Sequence, residues 1–262
     1  MRIECQGKDT AIWRIVLRAD EDGQVVLDGE DLQVLEAALA EAGKTSQCRV
    51  LVLRGESGAF CRGMDLQAVL ACDEGERAAA FATFARCLQH LRQISIPVLC
   101  LVDGEAIGGG VGLAAAADVL VATRRSTFAL PEVVFGLIPA LVLPVLLERL
   151  TVQKARRLTV CGLALEAREA HSLGLVDRVV EGGEALEAAE RALLRQLLRV
   201  HPQAVARVKQ YCEQIADLDL SAALEAGTAR NRADLQERDI VEAVRTFIDG
   251  EVPPWFERYR PT

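Results

Sequence analysis

The stretch GEAIGGGVGLAAAADVLVA, from Gly104 to Ala122, places three consecutive glycines before a run of small residues. It directly follows the apolar run IPVLCLVDG (96–104), which predicts a buried strand. Because glycines have no side chains, a ligand can lie directly against main-chain N–H groups at the start of a helix. That ligand could be a cofactor phosphate or a reacting carbonyl oxygen, and the choice between them decides the function.

A cofactor phosphate is the weaker choice. The segment from Gly110 to Ala115 satisfies the dinucleotide fingerprint G-x-G-x-x-A. However, the helix that fits before DVLVAT (118–123) is barely more than one turn, too short for the usual crossover. That strand ends in Arg124-Arg125, where an NAD site would have an acid, although an arginine pair would suit NADP. An NADP-binding oxidoreductase therefore stays as the least favoured alternative.

Two other interpretations of the glycines remain. In one, the glycines only allow a strand-to-helix turn to be tightly packed. In the other, the N–H groups stabilise the enolate oxygen of a thioester, as an oxyanion hole does, and a second N–H must then come from elsewhere in the chain.

The rest of the chain predicts an α/β fold with a helical end. Strand-like and helix-like stretches alternate through the first two thirds, which favours a parallel sheet covered by helices. From about Pro144 the pattern is helical: a short helix is stopped by Gly174, a brief strand follows at 177–180, and three helices fill 182–248. Gly43 is expected to cap the helix over 28–43. The tail GEVPPWFERYRPT is either a docked arm or a disordered end.

Composition excludes several classes of function. The chain has 262 residues and a net charge of −8 without a dense basic run, which disfavours a nucleic-acid partner. Its three histidines and eight cysteines lack metal-ligand spacing, so no metal is expected. The polar start MRIECQGKDT and the absence of a long apolar run predict neither a signal peptide nor a membrane span. We therefore expect a cytoplasmic protein whose cysteines are reduced.

Three segments in order carry a family resemblance. SGAFCRGMDL (57–66), the glycine run and FALPEVVFGLIP (128–139) together resemble the enoyl-CoA hydratase/isomerase, or crotonase, family. The resemblance extends through LTVCGLALEAREAHSLGLVDRVV (158–180) and covers roughly residues 10–200. It implies a crotonase spiral of ββα repeats over residues 1–195 and a helical C-terminal region over 196–262 that drives trimerisation. A hexamer built from two trimers is the alternative assembly.

The resemblance also implies site residues. The two oxyanion donors would be the backbone N–H groups of Met64 and Gly109, and the catalytic acid would be Glu132, after Pro131. Asp65 is expected to be a helix N-cap rather than a catalytic group. Cys61 is expected to pack as a small apolar residue.

One family residue is missing. Family hydratases carry a further glutamate in the helix after the glycines, and the matching position here is Gly112. Two carboxylates hold and activate water, whereas a single one can still take a proton from C2 and pass it to a leaving hydroxyl. The missing side chain is also expected to open room beside C3, with Gly110 and Gly112 against the substrate.

The segment FGLIPALVLPVLLERLTVQKARRLTV (135–160) indicates a branch of the family. Its apolar run at 140–144 resembles crotonase members that serve polyketide β-branching, and so, more loosely, does IDGEVPPWFERY (248–259). Two such relatives act on a substrate tethered to an acyl carrier protein, one as a dehydratase and one as a decarboxylase. The decarboxylases use a lysine after the first oxyanion motif and a late histidine. Because this chain has no lysine between Lys44 and Lys154 and no histidine after His201, the dehydratase is favoured.

The expected function is therefore a dehydratase, a hydro-lyase, that converts carrier-bound 3-hydroxy-3-methylglutaryl thioester to 3-methylglutaconyl thioester. No cofactor is expected apart from the phosphopantetheine of the carrier protein or coenzyme A. Gln67 stands where coenzyme A users often have a lysine, which weakly favours the carrier. Arg62 is a candidate for binding the distal carboxylate of the substrate. The simpler interpretation is that Arg62 is a solvated loop residue without a role in binding. The alternatives are an enoyl-CoA hydratase or isomerase, the carrier-bound decarboxylase, and a non-enzymatic thioester-binding scaffold.

Overall fold

A computed structural model describes residues 3–7, 10–56, 58–162 and 164–259. Ser57 and Leu163, which belong to two of the segments that carry the family resemblance, lie outside the described residues. Among the residues described, no helix is long and apolar enough to cross a membrane.

The main sheet has six strands in the order β1-β2-β3-β4-β6-β9. The β1–β2 pair is antiparallel and all the other pairs are parallel, which agrees with the predicted α/β class. The central strands are continuous apolar runs because helices cover both faces of a parallel sheet. The strands are β1 (Ile3–Gln6), β2 (Ile12–Leu17), β3 (Val50–Gly55), β4 (Val98–Val102), β6 (Val119–Thr123) and β9 (Arg178–Val180).

A second, smaller sheet has the order β5-β7-β8. Strands β5 and β7 are parallel, and β8 is antiparallel to β7. These strands are only two or three residues long, too short for a pattern of alternating side chains to reveal them in the sequence. They are β5 (Glu105–Ile107), β7 (Thr127–Ala129) and β8 (Leu165–Glu166).

Among the residues described, eight α-helices belong to the part of the chain that forms the two sheets. Asp28, Asp65 and Asp73 accept hydrogen bonds from main-chain N–H groups of the first turns of α1, α2 and α3, which explains where these helices begin. The helices are α1 (Gly29–Lys44), α2 (Leu66–Ala71), α3 (Glu74–Gln93), α4 (Gly109–Ala115), α5 (Val142–Leu147), α6 (Val152–Cys161), α7 (Ala167–Leu173) and α8 (Gly183–Leu197); a 3₁₀ helix spans Pro131–Phe135.

Three further helices follow: α9 (Pro202–Ile215), α10 (Leu220–Asp234) and α11 (Arg238–Ile248). None of their residues is buried, in contrast to α4, where six of seven are. The tail after α11 is a docked arm over its described part: Arg49 donates to the carbonyl of Trp255, and the amide of Glu257 donates to that of Leu198.

Two details of the predicted helices are wrong. Helix α1 continues through Gly43 and ends at Lys44, with Thr45 as its C-cap. Four helices rather than three occupy 183–248, because the last predicted helix breaks between Asp234 and Arg238. Gly174 does end α7, in the left-handed conformation with φ of 98°.

Candidate active site

Three parallel segments end at the same edge of the molecule. Strand β5 pairs with β7, with Ile107 opposite Ala129, and Cys61 forms a parallel bridge with Ala106. Because parallel segments carry their carboxyl ends to one edge, the residues that follow each of them are brought together. These are residues 62–64, 108–109 and 130–132, which include every residue expected to act in catalysis.

The main chains of Gly63 and Gly109 are in direct contact. A Cβ atom built on Gly63 would lie 2.8 Å from the nitrogen of Gly109, and one built on Gly109 would lie 3.3 Å from Cα of Gly63. Gly63 also has φ of +86°, a conformation that favours glycine. No residue with a side chain fits at position 63 without moving the start of α4. Glycine is therefore required at this position, because the two main chains are in contact there.

Among the described residues, the N–H groups of Met64 and Gly109 have no acceptor. Leu27 holds the main chain on both sides of Met64, since its amide donates to Gly63 O and its carbonyl accepts from Asp65 N, both at 2.9 Å. Gly109 is the first residue of α4, where an N–H has no partner within the helix. In the part of the chain that the structure describes, neither amide forms a hydrogen bond. Both donors are therefore available to an oxygen that carries developing negative charge.

Glu132 lies against the start of α4. The amide of Gly108 donates to the carbonyl of Ala129 at 2.9 Å, which ties the end of β7 to the glycine run. A Cβ atom on Gly108 would lie 3.0 Å from Oε1 of Glu132. The carboxyl group of Glu132 is thus adjacent to the residue that precedes Gly109.

The carboxyl group of Glu132 lacks the partners that a structural acid has. The side chain is half-buried, and its Oε2 atom is buried with no hydrogen-bond partner among the described residues. Burial raises the pKa of Glu132, and a hydrogen bond from its own main chain offsets part of that effect. A half-buried carboxyl with a raised pKa, one of whose oxygens has no partner among the described residues, is suited to accepting and returning a proton.

Gly110 and Gly112 serve close packing in this structure. A Cβ atom on Gly110 would lie 1.9 Å from the carbonyl oxygen of Cys61, so α4 rests on that segment. A Cβ atom on Gly112 would lie 3.1 Å from Val142 and 3.4 Å from Leu88. The open room expected beside Gly112 is therefore absent, because two apolar side chains, both 3% exposed, fill it.

Three nearby residues have structural roles. Arg62 is exposed; its guanidinium donates to Gln24 and lies 3.6 Å from Glu105. Asp65 caps α2, as predicted. Cys61 is fully buried, and burial raises the pKa of its thiol to about 12, so it is not present as a nucleophilic thiolate.

The Arg124-Arg125 pair is engaged in ion pairs. Arg125 donates two hydrogen bonds to the carboxylate of Asp103, each 2.7 Å long, and Arg124 lies 3.4 Å from Glu181. Asp103 also accepts from the hydroxyl of Thr123. The hydrogen bonds from Arg125, together with that from Thr123, hold the pKa of Asp103 below its usual value against the opposing effect of burial. Helix α4 has only seven residues, so neither feature supports a dinucleotide site.

Sequence reasoning missed the apolar residues around α4. Phe84 of α3 would lie 3.0 Å from a Cβ on Gly109, and Leu88 and Val142 face Gly112. Phe84 and Leu88 belong to α3 and Val142 belongs to α5, all well separated along the chain from the glycines, and no local signal distinguishes them. Among the described residues, no group of three or more His, Cys, Asp or Glu side chains could hold a metal ion.

Comparisons with known proteins agree with this arrangement. A family model described as enoyl-CoA hydratase/isomerase matches residues 26–258. The chain is 29% identical over 253 residues to the enoyl-CoA isomerase/hydratase fer4 of Mycosarcoma maydis, covering 93% of this chain and 92% of that protein. It is 32% identical over 216 residues to a carnitinyl-CoA dehydratase of Salmonella arizonae, covering 79% and 81%.

A solved structure, Pseudomonas aeruginosa AtuE, is similar over 98% of this chain and 100% of that chain, with a TM-score of 0.89 and 27% identity. The expected α/β crotonase fold is thereby confirmed.

Proposed function

Because this chain belongs to the enoyl-CoA hydratase/isomerase family, we propose that Glu132 and the amides of Met64 and Gly109 form its active site. The chain is an enzyme, a hydro-lyase of the crotonase superfamily. The observation that supports the site most strongly is Glu132 itself, whose buried Oε2 has no partner among the described residues while Oε1 lies beside Gly108.

The reaction that fits one acid and two amide donors is the loss of water from a 3-hydroxyacyl thioester. The thioester oxygen accepts hydrogen bonds from the N–H groups of Met64 and Gly109, which stabilise the negative charge that develops there. Glu132 takes the proton from C2, and the electron pair of that C–H bond forms the C2–C3 double bond. The C3–O bond breaks, and the departing hydroxyl leaves as water with the proton that Glu132 returns.

Among substrates of this kind, we propose carrier-bound 3-hydroxy-3-methylglutaryl thioester. The resemblance of residues 135–160 to polyketide β-branching members favours it, as does Gln67, which is exposed and carries no charge for a nucleotide phosphate. A Cβ atom at position 112 would already meet Val142 at 3.1 Å and Leu88 at 3.4 Å, which disfavours a second acidic side chain there and favours chemistry with one carboxylate. The proposed partner is an acyl carrier protein, and the proposed prosthetic group is its phosphopantetheine.

The decarboxylase is less well supported. The ammonium group of Lys154 donates to the carbonyl of Leu173, and that of Lys209 lies 2.8 Å from the carboxylate of Asp118. Both lysines thus serve the fold. An enoyl-CoA hydratase or isomerase that uses coenzyme A thioesters is the second candidate, and the comparisons support it more directly than they support a carrier-bound substrate. The relative fer4 carries enoyl-CoA isomerase/hydratase activity in its name, and the Salmonella relative is named for a coenzyme A thioester.

Self-association into a homotrimer, or a pair of trimers, is part of the proposal. Helices α9, α10 and α11 bury none of their residues, and they leave apolar side chains exposed, including Leu220, Leu224, Phe247 and Ile248. Apolar surface of this extent is typical of an interface between subunits. Sedimentation analysis tests this part, and a monomer at micromolar concentration contradicts it.

Mass spectrometry of a loaded carrier protein tests the substrate. The carrier bearing the 3-hydroxy-3-methylglutaryl group is measured before and after incubation with enzyme, and we expect the loss of one water without loss of carbon dioxide. The coenzyme A thioester of the same acid is tested in parallel. Faster conversion of the coenzyme A form favours the second candidate, and release of carbon dioxide favours the decarboxylase. Binding of both thioesters without any product would leave the scaffold alternative.

A further inference from the structure

Helix α4 is not expected to be stable on its own. Gly109, Gly110 and Gly112 make up three of its seven residues, and glycine is the least favourable helix residue apart from proline. A helix this short is also unstable by itself, since it forms few internal hydrogen bonds. The position of the Gly109 amide therefore depends on contacts that α4 makes with the rest of the molecule.

Arg149, which follows α5, holds the carboxyl end of α4. Its guanidinium donates to the carbonyl of Ala115 at 2.9 Å and to that of Ala117 at 2.6 Å. These carbonyls lie at the end of the helix, where no amide of the next turn reaches them, and both residues are buried away from water.

The same guanidinium is fixed from its other side. It donates to the carbonyl of Leu175 and lies 3.1 Å from the carboxylate of Asp177, whose Oδ2 also accepts from the amide of Leu120. The Arg149 side chain is 11% exposed, so these are largely buried interactions. A cation at this end of a helix also complements the partial negative charge of its carbonyls.

We infer that Arg149 is a positioning residue for the proposed active site: by fixing the carboxyl end of α4, it holds the Gly109 amide at the place where the thioester oxygen binds. This inference rests on the proposed function, in which that amide is an oxyanion donor. Arg149 itself does not touch the substrate. A planar guanidinium with several donors suits this role. One group reaches the last carbonyl of α4, that of Ala117 just beyond the helix, and Leu175 and Asp177.

The test uses Arg149→Lys, which keeps the charge but has no planar fork of donors. The probe is a dimethylaminocinnamoyl pantetheine thioester, whose absorption moves to longer wavelength when its carbonyl oxygen accepts strong hydrogen bonds. We expect a smaller red shift on binding to the folded variant, and a kcat lower by about tenfold with KM within about twofold. Arg149→Gln serves as a second variant if the lysine variant does not fold.

The matched control is Arg49→Lys. Arg49 is also largely buried, at 9% exposure, and donates to the carbonyls of Val200 and Trp255, which lie away from α4. The Arg49→Lys variant is expected to be less stable than the unchanged enzyme but to have the same red shift and the same kcat. A red shift and kcat in Arg149→Lys equal to those of the unchanged enzyme overturn the inference, and so does an equal loss in both variants. If the unchanged enzyme itself shows no red shift, the proposed function is at fault.

Discussion

Two carboxyl groups, Asp103 and Glu132, are only 29 residues apart in the chain but lie in opposite surroundings. Asp103 is held by two hydrogen bonds from Arg125 and one from Thr123, and its pKa is lowered. Glu132 has a buried oxygen without a partner among the described residues, and its pKa is raised. The difference separates an acid whose ion pair stabilises the fold from one whose surroundings suit the proposed transfer of a proton.

The largest effect is expected from Glu132→Gln. The amide has nearly the same shape but cannot accept a proton, so we expect kcat to fall by about 10²- to 10⁴-fold. The free energy of unfolding is expected to stay the same or rise, because a half-buried charge is removed. Rates from the carrier-protein assay and urea unfolding curves measure the two quantities. Unchanged turnover would remove Glu132 from the mechanism.

Gly108→Ala tests the geometry around the same acid. A Cβ at this position would lie 3.0 Å from Oε1 of Glu132, and the residue has φ of +54°, so both the carboxyl group and the start of α4 must shift. We expect kcat to fall by about 10- to 100-fold.

Gly112→Ala is the matched control for Gly108→Ala. Its Cβ would contact Val142 and Leu88 rather than the acid. If both alanine variants lose the same amount of activity, general disruption of α4 explains the result, and the contact between Gly108 and Glu132 has no special importance.

The pH dependence of the rate should report the raised pKa of Glu132. Glu132 acts as a base only when ionised, so kcat/KM is expected to fall about tenfold per pH unit below that pKa. The inflection should lie above the value of about 4.3 that an ordinary glutamate has. An inflection at or below the ordinary value contradicts the assignment of the raised pKa to the catalytic base.

Asp103→Asn is expected to give the smallest effect, and on stability rather than rate. Loss of the charge on Asp103 should lower the free energy of unfolding by about 1 kcal/mol, a modest value because Arg125 is 61% exposed. Because the folded state lowers the pKa of Asp103, the stabilisation is complete above pH of about 4 and is lost as the pH falls below it. Urea unfolding at neutral and acidic pH tests this, and a tenfold loss of kcat would contradict the structural role.

Much of the central sheet could be predicted because its strands are unbroken apolar runs. Strands β4 and β6 lie within two residues of the stretches predicted at 96–104 and 118–123. The strands β1, β5, β7 and β8 were missed, since two to four residues carry no periodicity. The prediction that Gly43 caps α1 is wrong. Gly43 lies within α1, where a Cβ would be 3.4 Å from Ile94, so its small size allows α1 to approach that residue.

The candidate site could be predicted only in part. Glu132, Met64 and Gly109 came from motifs that resemble a family, and the structure brings their segments to one edge. The surroundings of Gly112 could not be predicted, because Leu88 and Val142 reach it from other helices. Arg149 was missed for the same reason, since its contacts with Ala115 and Ala117 join residues far apart in the chain. Such contacts depend on the tertiary structure and produce no recognisable pattern in the local sequence.

The two proposed oxyanion donors, at Met64 and Gly109, belong to the main chain, and this has a consequence for mutational scanning. Replacing Met64 by alanine changes the side chain and leaves the N–H in place, so a scan could pass over this position as tolerant. Proline is the one encoded residue that lacks the N–H, and it also restricts the backbone. Tolerance to substitution at such a position is therefore no measure of its importance, and replacing the amide by an ester through chemical synthesis would probe it more directly.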